Sequence, residues 1–192
     1  ERLGDVQQQA VTFGQIADVL QKRGQYDEAL QIYRKDVLPA LERLGDVRER
    51  VIMLGKIADL LQSRGELDEA LRIRREEELP IYKQLGDVHA KAVTLGKVAD
   101  VLHKLGQHDE AMRIFREYVL PVLERLGDVQ HWAVMLGKTA DMLQSRGKFD
   151  EALQIRIEEE LPIYDRLDDA RESLICRAKI GITYLARGAA GD

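Results

Sequence analysis

At 192 residues the chain has the length of one or two globular domains, with 45% apolar, 33% charged and only 5% aromatic residues. Four prolines leave room for long helices, and the scarcity of strand formers argues against an all-β fold. A net charge of −5 excludes the clustered Lys and Arg of a nucleic-acid groove or an anionic membrane surface, and no apolar run reaches the roughly 18–20 residues that span a bilayer.

The chain opens on Glu1-Arg2-Leu3-Gly4-Asp5-Val6, and the same hexapeptide pattern returns at Glu42-Val47, Lys83-Val88 and Glu124-Val129, with a degraded copy at Asp165-Ala170. Each step is 41 residues. A fixed period of this size predicts stacked supersecondary units that bury their apolar faces against neighbours. The units run 5–45, 46–86, 87–127 and 128–168, with a partial fifth at 169–192, and form a single array over 1–192. Alternate units are the more alike. Units two and four share Gln62-Ser63-Arg64-Gly65 with Gln144-Ser145-Arg146-Gly147, whereas units one and three carry Val37-Leu38-Pro39 and Val119-Leu120-Pro121.

Unit two shows the expected elements. Asp46 is a natural N-cap for a first helix over Val47 to Arg64, and Gly65 supplies the left-handed residue that ends it. Asp68 then caps a second helix running toward Gly86, with Pro80 expected to kink or split it. Pro39, Pro121 and Pro162 hold the same place in the other units. The fold class expected is all-α, an α-α superhelix of four helix-turn-helix units plus a fifth first helix.

The order apolar, apolar-small, apolar, Gly, apolar, Ala in each unit (Leu54, Ile57-Ala58, Leu61, Gly65, Leu67, Ala70 in unit two) resembles a tetratricopeptide repeat lengthened by seven residues. Phe13, Leu95 and Leu136 begin the equivalent series in units one, three and four. Two positions depart from the family: its late small residue is Asp36, Glu77, Tyr118 or Glu159, and the aromatic before it, kept as Tyr33 and Phe115, is Arg74 or Arg156 in even units. The likeness is to the TPR-like solenoids of bacterial proteins with near-identical repeats. It implies a protein-interaction scaffold with a protein or peptide partner, no cofactor and no chemistry of its own.

Within each first helix, Gly55, Asp59 and Gln62 fall opposite the apolar packing stripe of Leu54, Ile57 and Leu61. In the family that side lines a concave groove. The candidate ligand-binding row is therefore Asp18 and Gln21, Asp59 and Gln62, Asp100 and His103, and Asp141 and Gln144. Two readings of the aspartate ladder stand: an acidic track for a basic or amide-rich segment, or pairing with Lys56, Lys97 and Lys138 or with an adjacent unit. Gly14, Gly55, Gly96 and Gly137 each cost about 1 kcal/mol relative to alanine inside a helix. Close packing of successive first helices or approach of a ligand backbone would offset that cost.

Other signals are discounted. Gly137-Lys138-Thr139 lacks the earlier glycine of a phosphate loop and is repeat register. His89, His103, His108 and His131 show no pairing at metal-ligand spacing, and no nucleophile–base arrangement appears, so no metal or catalytic residue is assigned. Glu76 to Glu78 and Glu158 to Glu160 read as solvated faces, Trp132 as a cap over a neighbour's helix, and Cys176 as a buried small residue. As the sole cysteine, Cys176 cannot form an internal disulfide, which points to a reducing, cytoplasmic setting.

The fifth first helix breaks the pattern. Leu174, Ile175, Ala178, Ile182 and Leu185 put an apolar patch where the other helices carry the polar row, and Arg177 replaces a packing leucine. A helix apolar on more than one side expects cover on both, from a following segment or from another copy in a homo-oligomer. The opening at Glu1 and the short tail after Gly188 are read as the edges of an excerpt from a larger signalling protein, in which the array senses a ligand or partner.

Overall fold

The computed structural model describes residues 3–189, and the outermost residues of the excerpt reading lie outside them. The described residues form nine helices and no strand. First helices are α1 (Leu3–Lys22), α3 (Val47–Arg64), α5 (Val88–Lys104), α7 (Val129–Ser145) and α9 (Ala170–Ala189). Second helices are α2 (26–44), α4 (67–85), α6 (108–126) and α8 (149–166). The chain divides into two compact bodies, Glu1–Thr94 and Leu95–Asp192.

The expected cap at Asp46 forms, its carboxylate accepting the Glu49 amide at 3.0 Å. Asp87, Asp128 and Asp169 accept in the same way from Ala90, His131 and Glu172. Asp68 does not cap. Helix α4 begins two residues earlier than expected, at Leu67, with Glu66 as N-cap and no side-chain bond. The turn is closed by backbone instead: Gly65 sits at φ 84°, and the Glu66 amide donates back to the Leu61 carbonyl at 2.9 Å. Asp68 and Glu69 lie in the first turn, where the helix dipole favours acids. In the degraded fifth copy Asp168 takes the left-handed position at φ 55°, tolerated because Asp pays less there than other residues with a Cβ.

The second helices are neither split nor broken by proline. Each passes through a π-helical turn (Tyr33–Val37, Ile73–Glu78, Phe115–Val119, Ile155–Glu160) and resumes as α-helix one residue before Pro. The Leu79 amide reaches five residues back to the Arg74 carbonyl, and Leu38, Leu120 and Leu161 do the same. A proline inside an α-helix removes one backbone donor and presses its ring on the carbonyl four residues before it. Widening that turn relieves the clash, and the inserted residue turns positions 74 and 78 inward.

In the first body, Leu54, Ile57 and Leu61 of α3 are buried together with Tyr33, Val37 and Leu41 of α2 and Ile73 of α4. In the second body, Ala133 and Leu136 of α7 pack with Ile163 and Tyr164 of α8 and Cys176 of α9, and Trp132 and Ile180 lie partly buried against them.

Candidate groove and its buried ion pairs

All eight residues of the candidate row are half-buried on the first helices. The aspartates are already engaged. Asp18 accepts from Lys56 Nζ at 2.6 and 2.8 Å and from the Tyr33 hydroxyl. Lys138 binds Asp100, and Lys179 lies 2.8 Å from Asp141. Each of these lysines belongs to the next first helix, so the pairing runs between repeats and not three residues back along one helix. Burial works against the Asp18 carboxylate, but the hydrogen bonds from Lys56 and Tyr33 outweigh it and hold its pKa below the ordinary 3.8. The same contact, added to burial, pushes the Tyr33 hydroxyl pKa upward.

In the even repeats a guanidinium replaces the tyrosine. Arg74 is wholly buried and reaches Asp59 with one nitrogen and Glu78 with the other, the latter at 3.1 Å. Glu78 is itself buried and accepts from the Thr94 hydroxyl at 2.8 Å. Arg156 repeats the arrangement with Asp141 and with Glu160 at 3.3 Å. The last glutamate of each acidic run is therefore not on a solvated face: four residues after the arginine, across the π-turn, it is carried inward beside the guanidinium. Burial raises the Glu160 pKa, against the pull of Arg156 and Lys179.

These carboxylates account for two of the helical glycines. A Cβ on Gly55 would lie 3.2 Å from Glu78 Oε1, and one on Gly137 would lie 2.5 Å from Glu160 Oε1. At Gly96 the space is taken by Met135 of the following first helix, whose Sδ would be 2.9 Å away. Only at Gly96, then, do successive first helices supply the close packing expected from sequence. At Gly14 a Cβ would meet nothing within 4 Å. That glycine lines a cavity of about 420 Å³ between α1, α2 and α3, together with Val11, Asp18, Val37, Met53 and Lys56. Val37 stands where Glu78 stands in repeat two and is too short to fill the space.

Sequence spacing missed one contact in the row. His103 and His108 are five residues apart, yet their Nδ1 atoms lie 2.8 Å from each other. The chain ends α5, reverses through Gly106 at φ 80° and starts α6 at His108, which folds the second ring onto the first. Pairs at metal-ligand spacing could not include this contact, because i,i+5 is not a helical neighbour spacing and only the turn creates it. Burial and then His108 lower the His103 pKa, while Asp100 and Asp141 pull the other way. Gln144, the equivalent of His103 in repeat four, accepts from the buried Thr183 hydroxyl at 2.7 Å.

The remaining signals resolve simply. Gly137-Lys138-Thr139 lies inside α7, with Thr139 Oγ1 bonded to the Met135 carbonyl, so its amides are committed to the helix. Cys176 is buried, and burial followed by the nearby Glu160 pushes its thiol pKa up to about 12. Arg177 is exposed and holds Asp165 with two bonds, at 2.9 and 3.1 Å, in place of leucine packing. On α9, Leu174 and Leu185 are 69% and 77% exposed, and Ile175, Ala178 and Ile182 are exposed beside them. No described helix is long and apolar enough to cross a membrane.

Helix pairs of constant length, joined by a left-handed turn and packed in register, define an α-helical repeat protein. Tetratricopeptide repeat family models match residues 12–47 and 49–119, together more than half of the chain. The chain belongs to the tetratricopeptide-repeat-like family. Among solved structures it is similar to the nearly identical TPR-like repeats of a Podosopora anserina protein named for kinesin light chain. That likeness has 18% identity and a TM-score of 0.74 over 98% of this chain and 90% of that one. It is also similar to BtubC (BKLC) from P. vanneervenii, with 19% identity and a TM-score of 0.78 over 97% and 83% of the two chains. At these identities the likeness is one of fold. A comparison with curated proteins finds no match.

Two measurements test the polar network. Because folded Asp18 binds its proton less readily than unfolded Asp18, its contribution is fully present above the ordinary pKa and is lost as pH falls through the folded value. Asp18→Asn is expected to lower stability at pH 7 and to flatten the acid limb below about pH 5 in urea unfolding. Arg74→Phe alone, which leaves Glu78 buried without its guanidinium, is expected to cost about 3–5 kcal/mol. Arg74→Phe with Glu78→Val, the pair found at Phe115 and Val119, should recover most of that loss in a double-mutant cycle.

Proposed function

We propose that the chain is a single, continuous scaffold for protein–protein interaction over residues 1–192, the partner- or ligand-sensing array of a larger signalling protein. Tetratricopeptide repeats generally mediate such interactions. The observation that carries the reading is the cavity at Gly14, where Asp18 of the candidate row and the exposed Val11 border an opening that repeats two and four fill with Glu78 and Glu160. Asp18, Asp100 and Asp141 are already paired with lysines and Asp59 with Arg74, so they serve a partner by ordering the groove wall and by exchanging one of these cations for a partner's cation or amide. We read the setting as bacterial and cytoplasmic, and the role as binding without catalysis.

The test is affinity for a protein recovered on the immobilised array. Val11→Glu, which removes no member of an ion pair, and Asp59→Asn with Asp100→Asn are each expected to weaken that affinity at least about tenfold at unchanged helical circular dichroism. Unchanged affinity in both variants sinks the groove reading.

A second reading, self-association through α9, is favoured by the exposure of Leu174 and Leu185. It expects a sedimentation coefficient that rises with concentration and falls back to the monomer value in Leu185→Glu. A strict monomer at millimolar concentration removes it.

A further inference from the structure

We propose that His103 and His108 form a two-imidazole site for a late first-row divalent cation, Cu²⁺ or Ni²⁺, at the turn between α5 and α6. The pair breaks the repeat at two positions at once. Where repeat three has His103, the others have Gln21, Gln62 and Gln144; where it has His108, they have Tyr26, Leu67 and Phe149. Both depart from the residue types that the other repeats keep at these positions, and the turn brings both to one point, with ring centroids 4.7 Å apart and planes tilted by 56°.

The separation already lies near the spacing of a right-angled ligand pair. With metal–nitrogen bonds of about 2.0–2.1 Å, two ligands at a tetrahedral angle stand about 3.3 Å apart and two at a right angle about 2.9 Å apart. The observed Nδ1–Nδ1 distance is 2.8 Å. A right-angled pair of nitrogens belongs to the tetragonal or square-planar sites of Cu²⁺ and Ni²⁺, with water in the other positions.

At that distance one Nδ1 carries a proton and donates it to the other, so binding needs a change of tautomer. The proton leaves the donor's Nδ1 and its ring takes one up at Nε2; both Nδ1 lone pairs then face the ion, and the net proton count of the pair is unchanged. The required ring movement is about the Cβ–Cγ bond, a soft torsion for histidine. Both rings are half-buried, which keeps a path to solvent open, and the fields of Asp100 and Asp141 favour positive charge at His103.

The test is calorimetric titration with Ni²⁺ of a chain carrying His89→Gln and His131→Gln, in which the pair supplies the only imidazoles. One equivalent is expected to bind. His103→Gln and His108→Tyr, which install the residues of repeat one and so preserve the fold, are each expected to weaken binding by about tenfold or more. In the chain with all four histidines, the two substitutions together should remove one Ni²⁺ equivalent, a readout that does not depend on the His89 and His131 variants folding. Affinity unchanged by both substitutions, or no binding in the chain that keeps only this pair, overturns the proposal.

Discussion

A helix pair of this kind has to bury an apolar stripe on two sides, and a single pair covers only one. In the first body the contrast is direct: Ile57 of α3, flanked by another repeat, is 1% exposed, while its equivalent Ile16 in α1 is 44% exposed. Burying one such side chain contributes about 1.5–3 kcal/mol, so most of the stability of a repeat resides at its borders with neighbours. The side of the first helix that does not face the core is left to polar residues, and this is why the candidate row falls where it does.

The polar side still has to keep the helices in register. Lys56 reaches Asp18 across one border and Lys179 reaches Asp141 across another, each bridging 38 residues of sequence between first helices. Behind the row, odd repeats use Tyr33 or Phe115 and a valine, while even repeats use a buried Arg–Glu pair. The two solutions use different physics, and at Gly14 the apolar one leaves open the space that Glu78 fills at Gly55. The ionic one must satisfy every donor and acceptor, which explains why Glu78 also takes Thr94 and why a glycine lies beneath each carboxylate. Arg74 and Arg156 each keep a buried Nε with no hydrogen-bond partner among the described residues, a residual cost of this solution.

Much of this was legible without coordinates. Periodicity located the described helices, and the caps at Asp46, Asp87, Asp128 and Asp169 the starts of four first helices, because both depend on contacts within four or five residues. The glycine row and the aspartate row were visible for the same reason. Asp68 was misread because backbone hydrogen bonds around Gly65 close the turn without a side chain, and the acidic runs were misread because burial of Glu78 follows from a π-turn that an α-helical wheel does not contain.

The sequence by itself determined the repeat length, the all-helical fold, the family likeness and which residues lie on each face of a first helix. All of these are consequences of local periodicity repeated at a fixed interval. Only the tertiary structure decided which lysine meets which aspartate, which glycine is covered and that His103 touches His108. Those contacts depend on how the chain reverses at a left-handed turn and on the sideways register of one helix against the next, and neither quantity is encoded in residue spacing along a single helix.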